Sequence, residues 1–230
     1  MKYTLIILLV AAMLAYFYKS NAAKHDKEDQ EAFRDKKRKA HKVRLAAQDL
    51  EKTSEMLDEE IFWKIVDASV MNTEEEMAQE AYLVREIERL SPKQIIGFRL
   101  RTDKLLYDTY NSEMWCAGYI MNGGCSDDGF EYFRLWVISR GKEVYYAANE
   151  NPDSLISELK EGDHFYEFES FWYVALTAFE QKTGKELYDY IADDFKYSES
   201  NYPNFEFTWE EDKPESMQAI CPQLYEKLWH

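Results

Sequence analysis

The sequence predicts an all-α protein, with a single multi-helix globular domain behind an N-terminal transmembrane helix and a helical stalk. Three observations lead to this prediction: an apolar N-terminal run, a polar segment without glycine or proline after it, and helically spaced apolar residues beyond. We divide the 230 residues into a membrane anchor (1–21), a basic stalk (22–53) and an acidic globular domain (54–230). The last segment is long enough to bury a sizeable core.

The anchor is an uncharged apolar run over residues 3–18. It is shorter than the about 20 residues of a typical span, but flanking lysines can reach the interface and extend it. Lysine and arginine are concentrated after the run, so the positive-inside rule predicts a single-pass protein with a cytoplasmic domain. A signal peptide cleaved near Ala22, followed by export, remains an alternative.

The stalk, residues 22–53, is rich in helix-forming residues of mixed charge. Its basic block either lies against anionic lipid headgroups or is one solvated face of a helix; the block comprises Lys36, Lys37, Arg38, Lys39 and Lys42.

The remainder of the chain is strongly acidic. Residues 45–230 contain 17 Lys and Arg against 39 Asp and Glu, a net charge of −22. This charge repels nucleic acid and favours a basic protein as the partner, which the sequence does not identify.

The first helices of the domain follow from apolar spacing and capping residues. A first helix carries the stripe Ile61, Phe62, Ile65 and Val66 beside Trp63. A second is expected to run to Leu90 from a capping box formed by Asn72 or Thr73 with Glu76.

Serine, proline and glycine residues mark the ends of the next helices. Ser91 and Pro92 are suited to be the N-cap and first residue of a third helix, which reaches to about Tyr110. A fourth helix opens at Ser112, and the glycine pair at Gly123 and Gly124 ends it.

The central helix follows this glycine pair. Ser126 is a good N-cap, Asp127 and Asp128 suit the positive end of the helix dipole, and Gly141 follows the last turn. Most of the circumference between them is apolar, which predicts a helix buried on several sides.

The elements after Gly141 are less regular. Residues 142–148 are compatible with either strand or helix, and Asn151 and Pro152 begin a short helix. A long helix is expected over residues 167–182, a weaker one over 185–194, and two short ones at Pro214 and Pro222. In all, about seven to nine helices are predicted for the domain.

The start of the central helix carries the candidate binding residues, which are Cys125, Ser126, Asp127, Asp128, Glu131 and Arg134. Asp127, Glu131 and Arg134 share one helix face, where Arg134 can pair with both carboxylates or hold a ligand. A structural ion network is the simpler interpretation. A thiol before a helix can be activated, but the two adjacent carboxylates oppose this at Cys125.

The sequence contains no EF-hand spacing, HExxH, Walker-type glycine loop or GxSxG. We therefore expect no catalytic residue, no metal and no cofactor.

A family resemblance is carried by residues 124–141, which read GCSDDGFEYFRLWVISRG, together with IFWKIVDAS and WCAGYIMNGG upstream and NPDSL downstream. The chain resembles an uncharacterised bacterial domain-of-unknown-function family with the signature GCSDDGFxYFRxWLIxxG. The resemblance spans roughly residues 59–184 and extends to the terminal CPQLYEKLW. It implies a fold of packed helices rather than an activity.

The C-terminal part interleaves aromatic and acidic residues. The aromatic residues are Tyr197, Tyr202, Phe205, Phe207 and Trp209, and the acidic ones are Glu199, Glu206, Glu210, Glu211 and Asp212. They form either a recognition surface for a basic partner or an irregular segment packed on the core.

The function predicted from these features is a membrane-anchored acidic protein-interaction or regulatory module, of the kind an immunity protein represents. The alternative is a hydrolase or transferase with its site between Cys125 and Arg134.

Overall fold

The structure, a computed structural model, describes residues 37, 49–162 and 164–229. The chain divides into two compact units, Met1–Asp49 and Leu50–His230. The predicted anchor and nearly all of the predicted stalk lie outside the described residues. Within the described residues, no helix is both long enough and apolar enough to cross a membrane.

The second unit is all-helical over its described residues, which confirms the all-α part of the predicted fold class. Its α-helices are α1 Glu59–Asn72, α2 Glu76–Glu88, α3 Pro92–Asp108, α4 Ser112–Asn122, α5 Asp127–Ser139, α6 Lys142–Glu150, α7 Val174–Thr183, α8 Pro214–Ile220 and α9 Pro222–Leu228. Four 3₁₀ segments accompany them, at Pro152–Glu158, Glu169–Tyr173, Leu187–Tyr190 and Glu199–Asn201.

Helix α5 is the central element, as predicted. Its N-cap Ser126 accepts a hydrogen bond from Gly129 N, and the helix ends at Ser139 with Arg140 as its C-cap. It packs against α3, α4, α6 and the 3₁₀ segment Glu169–Tyr173. This explains why most of its side chains, including Trp136, are buried.

The predicted cap of α2 is wrong. Glu75 is the N-cap and makes no side-chain capping hydrogen bond. Thr73 Oγ1 instead donates to the Ser69 carbonyl at 2.8 Å, so this side chain completes the end of α1. The predicted stripe of α1 also needs a correction, because Ile61 is 39% exposed whereas Trp63 is buried.

Helix α3 begins with the predicted cap and passes close to the chain before α1. Ser91 and Gln94 form a capping box, with Pro92 as the first helical residue. A Cβ added at Gly97 would lie 2.7 Å from Leu57 N, and that amide donates to the Gly97 carbonyl at 2.8 Å. Glycine therefore permits this backbone contact.

The region after α5 differs from the prediction at two points. Residues 142–150 are helical, which resolves the ambiguity in favour of α6. The expected helix over residues 167–182 is instead a 3₁₀ segment followed by α7. Phe168 has non-helical backbone angles (φ −142°, ψ 67°), and its amide donates to the Tyr132 carbonyl at 3.0 Å, so a helix does not run through it.

The ends of the domain are tied to distant parts of the chain. Thr53 N donates to the Tyr190 carbonyl at 2.9 Å, and Ala192 N donates to the Thr53 carbonyl at 3.0 Å. This β-bridge holds the backbone extended at Ile191, which explains why only Leu187–Tyr190 is helical between residues 185 and 194.

The C-terminal helices α8 and α9 are confirmed on either side of Cys221. The carboxylate of Asp153 accepts hydrogen bonds from Gln223 N and Leu224 N at 3.0 and 2.9 Å and from Gln223 Nε2 at 3.0 Å. This buried carboxylate anchors the start of α9.

Candidate functional site

The first residues of the predicted binding strip serve the start of α5. The Oγ of Ser126 lies 3.1 Å from Gly129 N. Asp127 and Asp128 are exposed in the first turn, where their charge is favourable next to the positive end of the helix dipole.

Cys125 is half-buried just before α5. Burial raises the pKa of its thiol to about 12, and the nearby Glu167 and Asp127 act in the same direction. The thiol is therefore protonated at neutral pH, whereas a cysteine nucleophile reacts as the thiolate.

Arg134 points into the interior and is 1% exposed. Its NH1 donates to the Leu106 carbonyl at 2.6 Å and its Nε to the Phe130 carbonyl at 3.3 Å. Its guanidinium carbon lies 4.5 to 5.0 Å from the ring centroids of Phe130, Tyr110 and Tyr202.

The predicted pairing of Arg134 with Asp127 and Glu131 is wrong, since no ion pair joins them among the residues that the structure describes. The reason is that Arg134 is directed at carbonyl groups of α3 and α5, where it ties the two helices together.

Glu131, a residue of the predicted strip, interacts with charged residues that the sequence does not mark as part of a site. This half-buried carboxyl has a pKa above its ordinary value of 4.5, chiefly because of burial. The charges of Arg134 and Arg99 oppose the rise, and those of Glu199 and Asp103 add to it. Glu131 therefore belongs to a cluster of charged groups between α3, α5 and the C-terminal segment.

Arg99 is the centre of this cluster. Its NH2 lies 2.8 Å from Asp103 Oδ1, with only 3% and 11% of the two side chains exposed. Its NH1 donates to the Trp172 carbonyl at 3.1 Å. Its guanidinium carbon lies 3.4 Å from the centroid of the Trp172 ring and 5.6 Å from that of Tyr188.

The burial of this pair affects both partners. Burial raises the pKa of Asp103, and the adjacent guanidinium of Arg99 partly offsets the rise. Among the described residues, Arg99 Nε is the buried side-chain nitrogen that has no hydrogen-bond partner.

A cleft of about 530 Å³ opens beside this pair. Arg99 and Asp103 lie on its floor, and its walls include Trp172, Tyr188, Phe195 and Glu199. None of the six predicted binding residues lines it, although Glu131 interacts with its charged residues Arg99, Asp103 and Glu199. The opposite charges of Arg99 and Asp103, four residues apart on α3, are a signal in the sequence, but the more exposed Lys104 and Asp108 have the same spacing, so the sequence alone does not single out the buried pair.

The aromatic and acidic C-terminal segment is packed on the core and also exposes charge. Trp209 is buried and donates from Nε1 to the Ser112 carbonyl at 3.0 Å, and Tyr202 stacks on Tyr110. Phe207 is 53% exposed. We call Phe207 and the exposed carboxylates around it the acidic surface; they are Glu113, Glu206, Glu210, Glu211 and Asp212.

Among residues 49–162 and 164–229, no group of three His, Cys, Asp or Glu side chains is placed so that it could hold a metal ion.

Comparison with protein families gives one match, to the family described as "Protein of unknown function (DUF4240)", over residues 57–181. The match covers more than half of the chain. The chain belongs to the DUF4240 family. The predicted membership of an uncharacterised domain family is thereby confirmed, whereas the detailed signature stays a prediction. No curated protein and no solved structure matches the chain.

The DUF4240 match runs from just before α1 to near the end of α7. It includes the floor of the cleft, with Arg99, Asp103 and Trp172, but not Tyr188 or Glu199. Most of the acidic surface also lies beyond the DUF4240 match.

Proposed function

We propose that this chain is a membrane-anchored protein-interaction or regulatory module that binds a basic protein partner through its acidic surface. The observation that carries the proposal is an exposed aromatic ring, Phe207, among exposed carboxylates. Aromatic side chains commonly supply the binding energy of an interface, and complementary charge supplies specificity and fast association.

The acidic surface is well supported from beneath. The Phe207 ring lies 5.2 Å from Trp115, 5.3 Å from Phe205 and 5.6 Å from Trp209, measured between centroids. The amide of the next residue, Thr208, donates a hydrogen bond to Ser112 Oγ at 2.9 Å and so fixes the backbone beside Phe207. A surface held in place in this way loses little conformational entropy when a partner binds.

The proposal includes a location. Residues 3–18 would anchor the chain, and the lysines and arginines that follow would keep the domain on the cytoplasmic side. Mass spectrometry of the chain from its native membrane is expected to find the intact N-terminus. A chain that begins near Ala22 would instead indicate signal cleavage and export.

Binding of a basic partner should depend on where the acidic side chains lie, and not only on the net charge of the chain. The test is capture from native membranes with the full chain, in which Phe207→Ala, Glu206→Gln, Glu211→Gln and Asp212→Asn are combined. The matched control neutralises three exposed carboxylates elsewhere, Glu74→Gln, Glu75→Gln and Glu150→Gln.

We expect the wild type and the control to retain the same basic protein and the surface variant to lose it. Equal capture by all three chains, or equal loss from both variants, would contradict the proposal.

A hydrolase or transferase is the second candidate, and Glu131 is the observation in its favour. The pKa of this carboxyl and that of Asp103 are both raised by burial, and the two groups interact. Carboxyls with raised pKa values are suited to general acid catalysis. The test measures the turnover of a panel of candidate substrates by the wild type and by Glu131→Gln. If the variant turns over none of them more slowly than the wild type does, this candidate is excluded.

A further inference from the structure

The guanidinium of Arg99 has more hydrogen-bonding capacity than its neighbours use. Of its five N–H groups, the structure gives acceptors to two, one at the Trp172 carbonyl and one at Asp103 Oδ1. Its Nε has no partner among the described residues. Donors of a buried charged group that lack a partner are unfavourable, so an additional oxygen acceptor on this guanidinium would be stabilising.

The rest of the cleft has a different chemistry. Tyr188, which is 48% exposed, and the half-buried Phe195 present ring surface to it. Glu199 is exposed at the rim, and its charge acts on both Asp103 and Glu131. The cleft therefore combines a buried Arg99–Asp103 ion pair, in which Arg99 keeps unused donors, with apolar walls and an acidic rim.

The charge of the domain narrows the choice of ligand. A simple anion would meet Arg99 favourably, but it would have to approach a domain with a net charge of −21 over residues 54–230 (16 Lys and Arg against 37 Asp and Glu). A simple cation would meet the rim but leave the donors of Arg99 unsatisfied. A zwitterion carries no net charge, and its anionic and cationic groups complement Arg99 and Glu199 at the two ends of the cleft.

We propose that the cleft binds a free α-amino acid with an apolar side chain. The carboxylate lies toward Arg99, the ammonium group toward Glu199, and the side chain against Tyr188 and Phe195. The volume of about 530 Å³ lies within the range of roughly 300–1,000 Å³ that is typical of small-molecule sites. This proposal is independent of the acidic surface, because the cleft and that surface share no residue.

Three compounds of similar size separate the contributions of the two charges: L-phenylalanine, 3-phenylpropionate without the amine, and phenethylamine without the carboxylate. Each is titrated into the full chain and followed by calorimetry and by the shift of the melting temperature. We expect L-phenylalanine to bind at least tenfold more tightly than either analogue.

Two variants locate the binding. Glu199→Gln, at an exposed position that folding should tolerate, is expected to weaken L-phenylalanine binding about tenfold and to leave phenylpropionate binding unchanged. Tyr188→Ala should weaken all three compounds, because it removes a wall of the cleft. Glu180→Gln, exposed on α7, is the matched control and should change nothing.

Equal affinity for the three compounds, tightest binding of either analogue, or no binding at millimolar concentration would overturn the proposal. Retention of wild-type affinity by Glu199→Gln and Tyr188→Ala would also overturn it, since the amino acid would then bind elsewhere.

Discussion

The guanidinium of Arg99 lies over the ring of Trp172, with its carbon 3.4 Å from the ring centroid, although 73 residues separate them in sequence. Asp103 holds the edge of the same guanidinium at 2.8 Å. A pair buried to this extent is sensitive to the loss of one partner, because the charge that remains is desolvated without compensation.

Replacing Asp103 alone should therefore be strongly destabilising. We expect Asp103→Leu to lower the free energy of unfolding by about 3 to 5 kcal/mol, because Arg99 keeps its charge in a buried place. The double variant Arg99→Met/Asp103→Leu should lose less than this single variant. Urea denaturation of the full chain, followed by tryptophan fluorescence, measures both. A double variant less stable than Asp103→Leu would contradict the expectation.

Glu131 should make stability depend on pH. Its pKa in the folded state is above 4.5, so the folded state binds more protons than the unfolded state between that value and the raised pKa. The contribution of Glu131 to stability is therefore complete below pH 4.5 and is lost as the pH rises through the folded-state pKa.

The variant Glu131→Gln carries no ionisable group at this position. We expect it to be more stable than the wild type at pH 7 and to lose that advantage as the pH falls toward 4.5. Denaturation curves at pH 5, 6 and 7 test this. The exposed Glu180→Gln is the control, and its effect on the free energy of unfolding should be the same at each pH. A variant that is less stable at pH 7 would show that ionised Glu131 supports Arg134.

Asp153 should hold the C-terminal helix in place. Its carboxylate accepts from two backbone amides at the start of α9, so Asp153→Ala leaves those donors without their acceptor. We expect a loss of about 2 to 3 kcal/mol, and a smaller loss for Asp153→Asn, which keeps one acceptor oxygen. Denaturation measures the loss, and limited proteolysis should cut near Gln223 first. Unchanged proteolysis would show that α9 is held mainly by its apolar contacts.

Trp136 should be a major contributor to the core. It is 5% exposed, with its ring centroid 5.1 Å from Tyr166 and 5.8 Å from Phe133. We expect Trp136→Ala to lower the free energy of unfolding by about 3 to 5 kcal/mol and Trp136→Phe to lower it by less. Circular dichroism during thermal unfolding measures both. A folded fraction that barely changes in Trp136→Ala would contradict the central place of α5.

Helix ends were predictable where the signal is local. Ser91 and Ser126 cap α3 and α5, and Gly123 ends α4 in the left-handed conformation. Each of these outcomes depends on the backbone within a few residues, and sequence records that directly.

The residues of the cleft were not predictable in this way. Arg99 and Glu199 are 100 positions apart, and only the packing of the C-terminal segment beside α3 brings them to the same cavity. The same limitation explains Arg134, whose helix face predicted carboxylate partners, whereas tertiary packing supplied the carbonyl of Leu106. The fold class follows from local pattern, but a site assembled from distant segments does not.

The β-bridge between Thr53 and Ile191 has a consequence for how the protein is made. A ribosome delivers Thr53 long before Ile191, and Asp153 long before Gln223, so early helices must wait for partners that are still to be synthesised. Non-local closure of this kind slows folding and leaves apolar surface uncovered in the meantime. The domain is therefore expected to reach its final state only after residues 191–224 have been synthesised.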